Sequence, residues 1–208
     1  MNKQTTTAQA AALQVADPES GEMRDVLYFK GTPRQYRFDG NKGEFSLHGK
    51  KVLGNTFKFH PLAWRIFDDA LFGRALAKWA EFFFVDEEGC LSTIMFNNSS
   101  VTELMDVVPQ LGYDRKELSD VVLKIKTDRL TNDKGTWFVA KFDYEDAPKP
   151  AVKAVKAFAA ARPIYREDTI TPNAEYRFWS DTYAMNTAQA IALGKGEIVH
   201  ELPAAQAA

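Results

Sequence analysis

The sequence predicts a mainly β protein: a small antiparallel barrel with one or two short helices and a C-terminal extension. Three observations predict it. Short runs with period-2 alternation recur along residues 25–147, punctuated by turn residues at about the 8–12-residue spacing of all-β folds. Two longer stretches have the form of hairpins. The chain also carries 15 Phe, 7 Tyr and 4 Trp, and flat rings pack well on pleated surfaces.

The elements follow in order. Residues 1–24 are polar, rich in Thr, Ala and Gln, and read as mostly disordered. Val26–Lys30 is a short strand broken at Gly31-Thr32-Pro33. Gln35–Phe38 alternates and meets a turn at Asp39-Gly40-Asn41-Lys42-Gly43, after which Glu44–Leu47, Lys51–Leu53 and Thr56–Phe59 continue the pattern. The stretch Pro61–Ala80 fits two readings. Leu62, Ile66, Ala70, Gly73, Leu76 and Ala77 share a helical face, whereas Leu62, Trp64 and Ile66 alternate as a strand leading into a loop.

Phe82–Val85 and Cys90–Phe96 form the clearest hairpin, turning at Asp86-Glu87-Glu88-Gly89, where Gly supplies a positive φ. Ser100-Val101-Thr102-Glu103 fits a capping box opening a short helix to about Val108, with Pro109 and Gly112 marking its end. Val121–Thr127 and Thr136–Phe142 form the second hairpin, turning at Asn132-Asp133-Lys134-Gly135. Residues 148–193 differ in character. An Ala/Lys-rich helix or semi-rigid linker is followed by an aromatic segment, 164–192, suited to docking on the barrel or on a partner. Residues 194–208 read as a disordered tail.

Composition bounds function. At 208 residues, with 45% hydrophobic content, the chain can bury one core without staples. The lone Cys90 leaves no disulfide framework, fits a reducing compartment, and reads most simply as a small buried apolar residue. No 18-residue apolar run or signal-peptide core is present, so no membrane span and a cytoplasmic location are expected.

Enzymatic signatures are nearly absent. His48, His60 and His200 lack metal-ligand spacing, and there is no phosphate loop and no GxSxG elbow. The acidic turns Asp86-Glu87-Glu88 and Asp143–Asp146 read as solvated turn formers. No cofactor, metal or catalytic residue is expected.

The net charge of −2 excludes a wholly basic protein, but charge is segregated. Lys30, Arg34, Arg37, Lys42, Lys50, Lys51, Lys58 and Arg65 face only Asp39 and Glu44 in that stretch. Such a chain can present a positive face despite its total. Single strands need basic grooves for phosphates and aromatics for bases. The candidates for stacking are Tyr36, Phe57, Trp64 and Trp137. For phosphate contact they are Arg37, Lys50, Lys51, Lys58, Arg65, Lys124 and Lys141. In Leu123-Lys124-Ile125-Lys126 the lysines share one face, as on any half-solvated strand.

The layout of residues 26–145 resembles that of OB-fold single-stranded-DNA-binding proteins carried by phages and plasmids. The resemblance rests on the run of short strands, the hairpin Phe82–Phe96, the helix at Ser100–Val108 and the closing strands Val121–Lys126 and Gly135–Phe142. It implies sequence-tolerant, non-catalytic binding of single-stranded DNA, or RNA, in a process such as DNA replication. The chain departs from the bacterial members at its end, Glu201-Leu202-Pro203-Ala-Ala-Gln-Ala-Ala, which is not an acidic tail. Two other classes stay open. One is a protein-interaction or assembly module using residues 164–183 toward a partner or a second copy. The other is an enzyme whose cleft gathers carboxylates with His48 or His60.

Overall fold

The computed structural model describes residues 13–16, 20–133 and 135–194. In chain order the strands are β1 (Gln14–Ala16), β2 (Met23–Asp25), β3 (Arg34–Asp39), β4 (Glu44–Leu47), β5 (Lys51–Gly54), β6 (Thr56–Phe59), β7 (Ala63–Asp69), β8 (Ala77–Val85), β9 (Leu91–Asn97), β10 (Val121–Asn132), β11 (Gly135–Asp146) and β12 (Glu175–Trp179). The helices are α1 (Ser99–Tyr113), α2 (Lys149–Ala161) and α3 (Met185–Ala192). The protein is mainly β.

Its ladders do not close into the expected barrel. They form a seven-stranded sheet in the order β12-β7-β8-β9-β3-β4-β5, a three-stranded sheet β11-β10-β6, and the small pair β1-β2. That pair falls in the segment expected to be disordered; residues 1–12 and 17–19 of it, like 195–208 of the tail, lie outside the described residues. Val26–Lys30 is not a regular strand and contributes one bridge, Leu27 to Cys90. Gly31, at φ 71°, and Pro33, which lacks an N–H, end the extended run.

Strands β6 and β7 are one bent path through both sheets. The first pairs with β10 and the second with β8. His60-Pro61-Leu62 makes the bend, because proline cannot donate to a ladder; pairing resumes as the Leu62 amide donates to the Phe83 carbonyl at 2.7 Å. Between Pro61 and Ala80, strand plus loop therefore prevails over helix. A strand can bury side chains on two faces, and Ile66 and Phe67 are both buried, on opposite ones.

The same two-sidedness explains the unbroken Phe82-Phe83-Phe84 run. Phe82 and Phe84 enter the main core with Phe45, Phe59, Phe96, Leu104 and Leu123, beneath α1 and the three-stranded sheet. Phe83 enters a second core, built with Val155, Phe158, Ile164, Tyr165 and Tyr183. The segment after Pro148 thus packs on the back of the large sheet, with β12 as its edge strand.

Helix α1 starts and ends differently from expectation. No side-chain cap bond forms at its start. Ser100 is buried, and its hydroxyl accepts the Ala140 amide at 3.0 Å, while Glu103 pairs with Lys141. Both capping-box side chains are recruited by β11 instead. The helix also runs through Pro109, which sits on its exposed side, to Tyr113.

The β3–β4 turn docks on β11: the Phe138 amide donates to the Gly40 carbonyl at 2.7 Å, and the Phe138 ring lies against Gly43. Gly43 has φ +70°, and a Cβ there would collide with that ring. Gly43→Ala is expected to destabilise the fold by about 1–3 kcal/mol, from left-handed strain plus overpacking. Thermal melts of the variant check this; an unchanged midpoint would remove the turn from the list of packing constraints.

Candidate nucleic-acid interface

The two sheets part where β5 passes into β6 through Asn55. A cleft of about 900 Å³ opens there, bordered by β5, β6, β10, β11 and the Asp86–Gly89 turn. Its polar lining includes Lys51, Lys58, Lys124, Lys126 and Lys141 together with Asp86, Glu87, Glu88 and Asp143, and its aromatic lining includes Tyr36, Phe57, Phe59, Phe84 and Phe142. Period-2 alternation delivers both. In β10, Leu123 and Ile125 are buried while Lys124 and Lys126 lie on the other face.

Register sets like charges side by side. Lys58 of β6 lies opposite Lys124 of β10, and Lys126 of β10 lies opposite Lys141 of β11. Directly opposed like charges destabilise a sheet unless counter-charge is supplied. Part of it is internal: Lys141 pairs with Glu103 at 2.6 Å, and Lys124 reaches Glu145 at 3.5 Å and Asp143 at 3.7 Å. Lys51, Lys58 and Lys126 form no ion pair with any described residue.

The aromatics stand at the cleft wall with their backs in the core. Tyr36 is half-buried, its ring 5.1 Å from Phe57 and 5.4 Å from Phe84. Its hydroxyl donates to Asp86 at 3.1 Å, and burial followed by that carboxylate raises the phenol well above its ordinary pKa. Phe57 lines the cleft while packing on Phe45 at 5.4 Å, Phe84 at 5.7 Å and Phe59 at 5.9 Å.

Asp86 organises the acidic turn. Its side chain is buried and accepts bonds from the Glu88 and Cys90 amides, Ser92, Tyr36 and Arg34. Arg34 also donates to Glu88 at 2.6 Å, and that bond, with charge from Arg34 and Lys51, holds the Glu88 carboxyl below its ordinary pKa. Burial first, then Asp86, raises the Cys90 thiol, which leaves it a poor nucleophile at neutral pH.

Of the sequence-derived candidates, Tyr36, Lys51, Phe57, Lys58, Lys124 and Lys141 meet in this cleft. Lys50 is exposed on the neighbouring β4–β5 turn, and Arg37 is exposed on β3 beside Gly49. Trp137 lies near the far end of the β10–β11 hairpin, opposite Leu130. Trp64 is half-buried against the main core, its amide bonded to Ser180.

Arg65 is inside the protein, with no exposed surface. It donates to Glu81 at 2.8 Å, to the Tyr176 hydroxyl at 3.0 Å, and to both oxygens of Thr169 at 2.6 and 3.0 Å. A guanidinium so engaged has no surface to offer a phosphate, and the phosphate-contact role read for Arg65 in the sequence is corrected to a structural one. Lys126, on the Lys124 face by the sequence alternation but outside the phosphate-contact candidates, also lines the cleft.

Among the described residues no group of three or more His, Cys, Asp or Glu side chains is placed to hold a metal ion, and no helix is long and apolar enough to cross a membrane. No protein-family model, curated protein or solved structure matches the chain.

Proposed function

We propose that the protein binds single-stranded nucleic acid, DNA by the layout resemblance, without catalysis, along the lysine-lined cleft. The observation that carries this reading is the opposition of Lys58 to Lys124 and of Lys126 to Lys141 beside the rings of Tyr36 and Phe57. A phosphate backbone supplies the missing counter-charge, and bases stack where rings reach the wall. An opened OB-like plan supports it further. The bent β6–β7 path serves both sheets. Then β8, β9, α1, β10 and β11 follow in the matching order.

The test is fluorescence anisotropy of a labelled oligo-dT at low and high salt, with a duplex of equal length alongside. Tight binding that weakens steeply with salt, and weaker duplex binding, is the expected result. No binding at low salt sinks the reading.

The interaction-module reading has its own observation. Within residues 164–183, Ile164, Tyr165 and Tyr183 are buried in the protein's own core, whereas Phe178 and Trp179 are 54% and 45% exposed on the edge strand β12. Light scattering of the wild type and of Phe178→Ser/Trp179→Ser would reveal self-association through that edge. The enzyme reading asks for a cleft gathering carboxylates with a histidine. A second cleft is lined by His48 with Glu167, Glu88 and Asp168, of which the last two carboxylates are held by Arg34 and Arg166. Those two are engaged as ion pairs and not poised as bases.

A further inference from the structure

That second cleft, of about 850 Å³, adjoins the first. Two elements join them. Glu88 borders both, and the β4–β5 turn contributes His48 to the second and Lys51 to the first. The turn is a tight primed one. His48 and Gly49 both have positive φ, 54° and 72°, and the Lys50 amide bonds the Leu47 carbonyl at 3.0 Å. It forms a short ridge, His48-Gly49-Lys50-Lys51, exposed throughout.

The second cleft has the two things a nucleotide needs. Phe29 offers a ring that is 44% exposed, with Leu27 beside it at 52%. Arg34 offers donors: only its Nη1 is engaged among the described residues, by Asp86, Glu88 and Cys90, leaving Nε and Nη2 for an incoming anion. Of the cleft's three acids, Glu167 lies beside Gly31 and pairs with no cation among the described residues, and the other two are quenched in place. Glu88 is bound to Arg34, and Asp168 takes two bonds from the buried Arg166.

We infer that the second cleft is a continuation of the binding site, resting on the reading of the first. A strand longer than the first cleft crosses the His48–Lys51 ridge, meets Arg34 with a phosphate, and stacks a base on Phe29. The site is therefore bipartite, and its affinity rises with oligonucleotide length in a step set by the second cleft.

The experiment compares dT5 and dT15 binding by anisotropy for wild type, Phe29→Ala/His48→Ala, and Lys58→Glu/Lys126→Glu, with folding checked by thermal melts. Phe29 and His48 are exposed, so their replacement leaves the cores intact. Wild type is expected to bind dT15 more tightly than dT5 by more than lattice statistics allow. Phe29→Ala/His48→Ala is expected to lose about tenfold on dT15, the scale of one stacked base, and almost nothing on dT5. Unchanged dT15 affinity in that variant, while Lys58→Glu/Lys126→Glu loses both oligonucleotides, overturns the second cleft and leaves the first standing. Unchanged binding in Lys58→Glu/Lys126→Glu removes the first cleft, and the bipartite site with it.

Discussion

Arg65→Ala is expected to lower the melting temperature by on the order of 10 °C. The pair it breaks has no exposed side-chain surface on either partner, with Arg65 Nη2 2.7 Å from Glu81. Arg65 and Glu81 sit directly opposite on β7 and β8. Thr169 donates to the same carboxylate and Tyr176 accepts from the same guanidinium, so the network ties the large sheet to the segment after Pro148. Removing one member leaves Glu81 charged and dry, which costs about 3–5 kcal/mol. For a chain of this size each kcal/mol moves the midpoint by about 2–4 °C. The double replacement Arg65→Met/Glu81→Leu removes both charges and is expected to recover most of the loss. Limited proteolysis adds a local readout: in Arg65→Ala, cleavage should appear first within residues 164–192. A melt within about 2 °C of wild type would show that the second core alone holds that segment.

Lys58→Glu/Lys126→Glu is expected to weaken single-strand binding by on the order of 100-fold near 0.1 M salt. Both side chains are exposed, so stability should hold or improve slightly as the opposed lysine rows lose their repulsion. The salt dependence discriminates better than affinity. Two lost phosphate contacts on a single strand reduce the slope of log affinity against log salt by about 1.4. Lys149→Glu/Lys153→Glu, an equal exposed charge change on α2, is the control and should leave the slope alone. Equal losses in both variants would mean that total charge governs binding and the cleft does not.

The two variants separate the basic residues that one reading of the sequence had grouped. Lys58 and Arg65 are seven positions apart in a basic, aromatic stretch, and composition treats them alike. Their fates differ because strand β7 is covered on both faces and β6 is not. Alternation reports which residues share a face. It cannot report whether a later segment will cover that face. The cover here comes from Thr169 and Tyr176, more than 100 positions on.

The capping box at Ser100 failed for a related reason. Its spacing is right for a cap, yet a strand that forms 40 residues later offers the Ser100 hydroxyl a buried amide at Ala140. Leaving that amide without a partner would cost more than leaving an exposed helix start uncapped. Lys126, in contrast, was legible. It shares the face of Lys124, as the alternation in Leu123-Lys124-Ile125-Lys126 states.

What the sequence determined by itself was local. Turn residues and period-2 patterning placed β3, β4, β5, β6 and both long hairpins, because φ preferences and side-chain alternation act over a few residues. The tertiary structure alone decided what those elements face. Closure was lost because β3 inserts beside β9 in parallel, a pairing between residues more than 50 positions apart. The cleft arises because β5 and β6 join different sheets. The Phe82-Phe83-Phe84 run divides between two cores because one comes from α1 and the three-stranded sheet and the other from the C-terminal segment. Burial, charge pairing and the opposition of lysines depend on which surfaces meet, and contacts across such sequence distances are settled by packing, which no local pattern encodes.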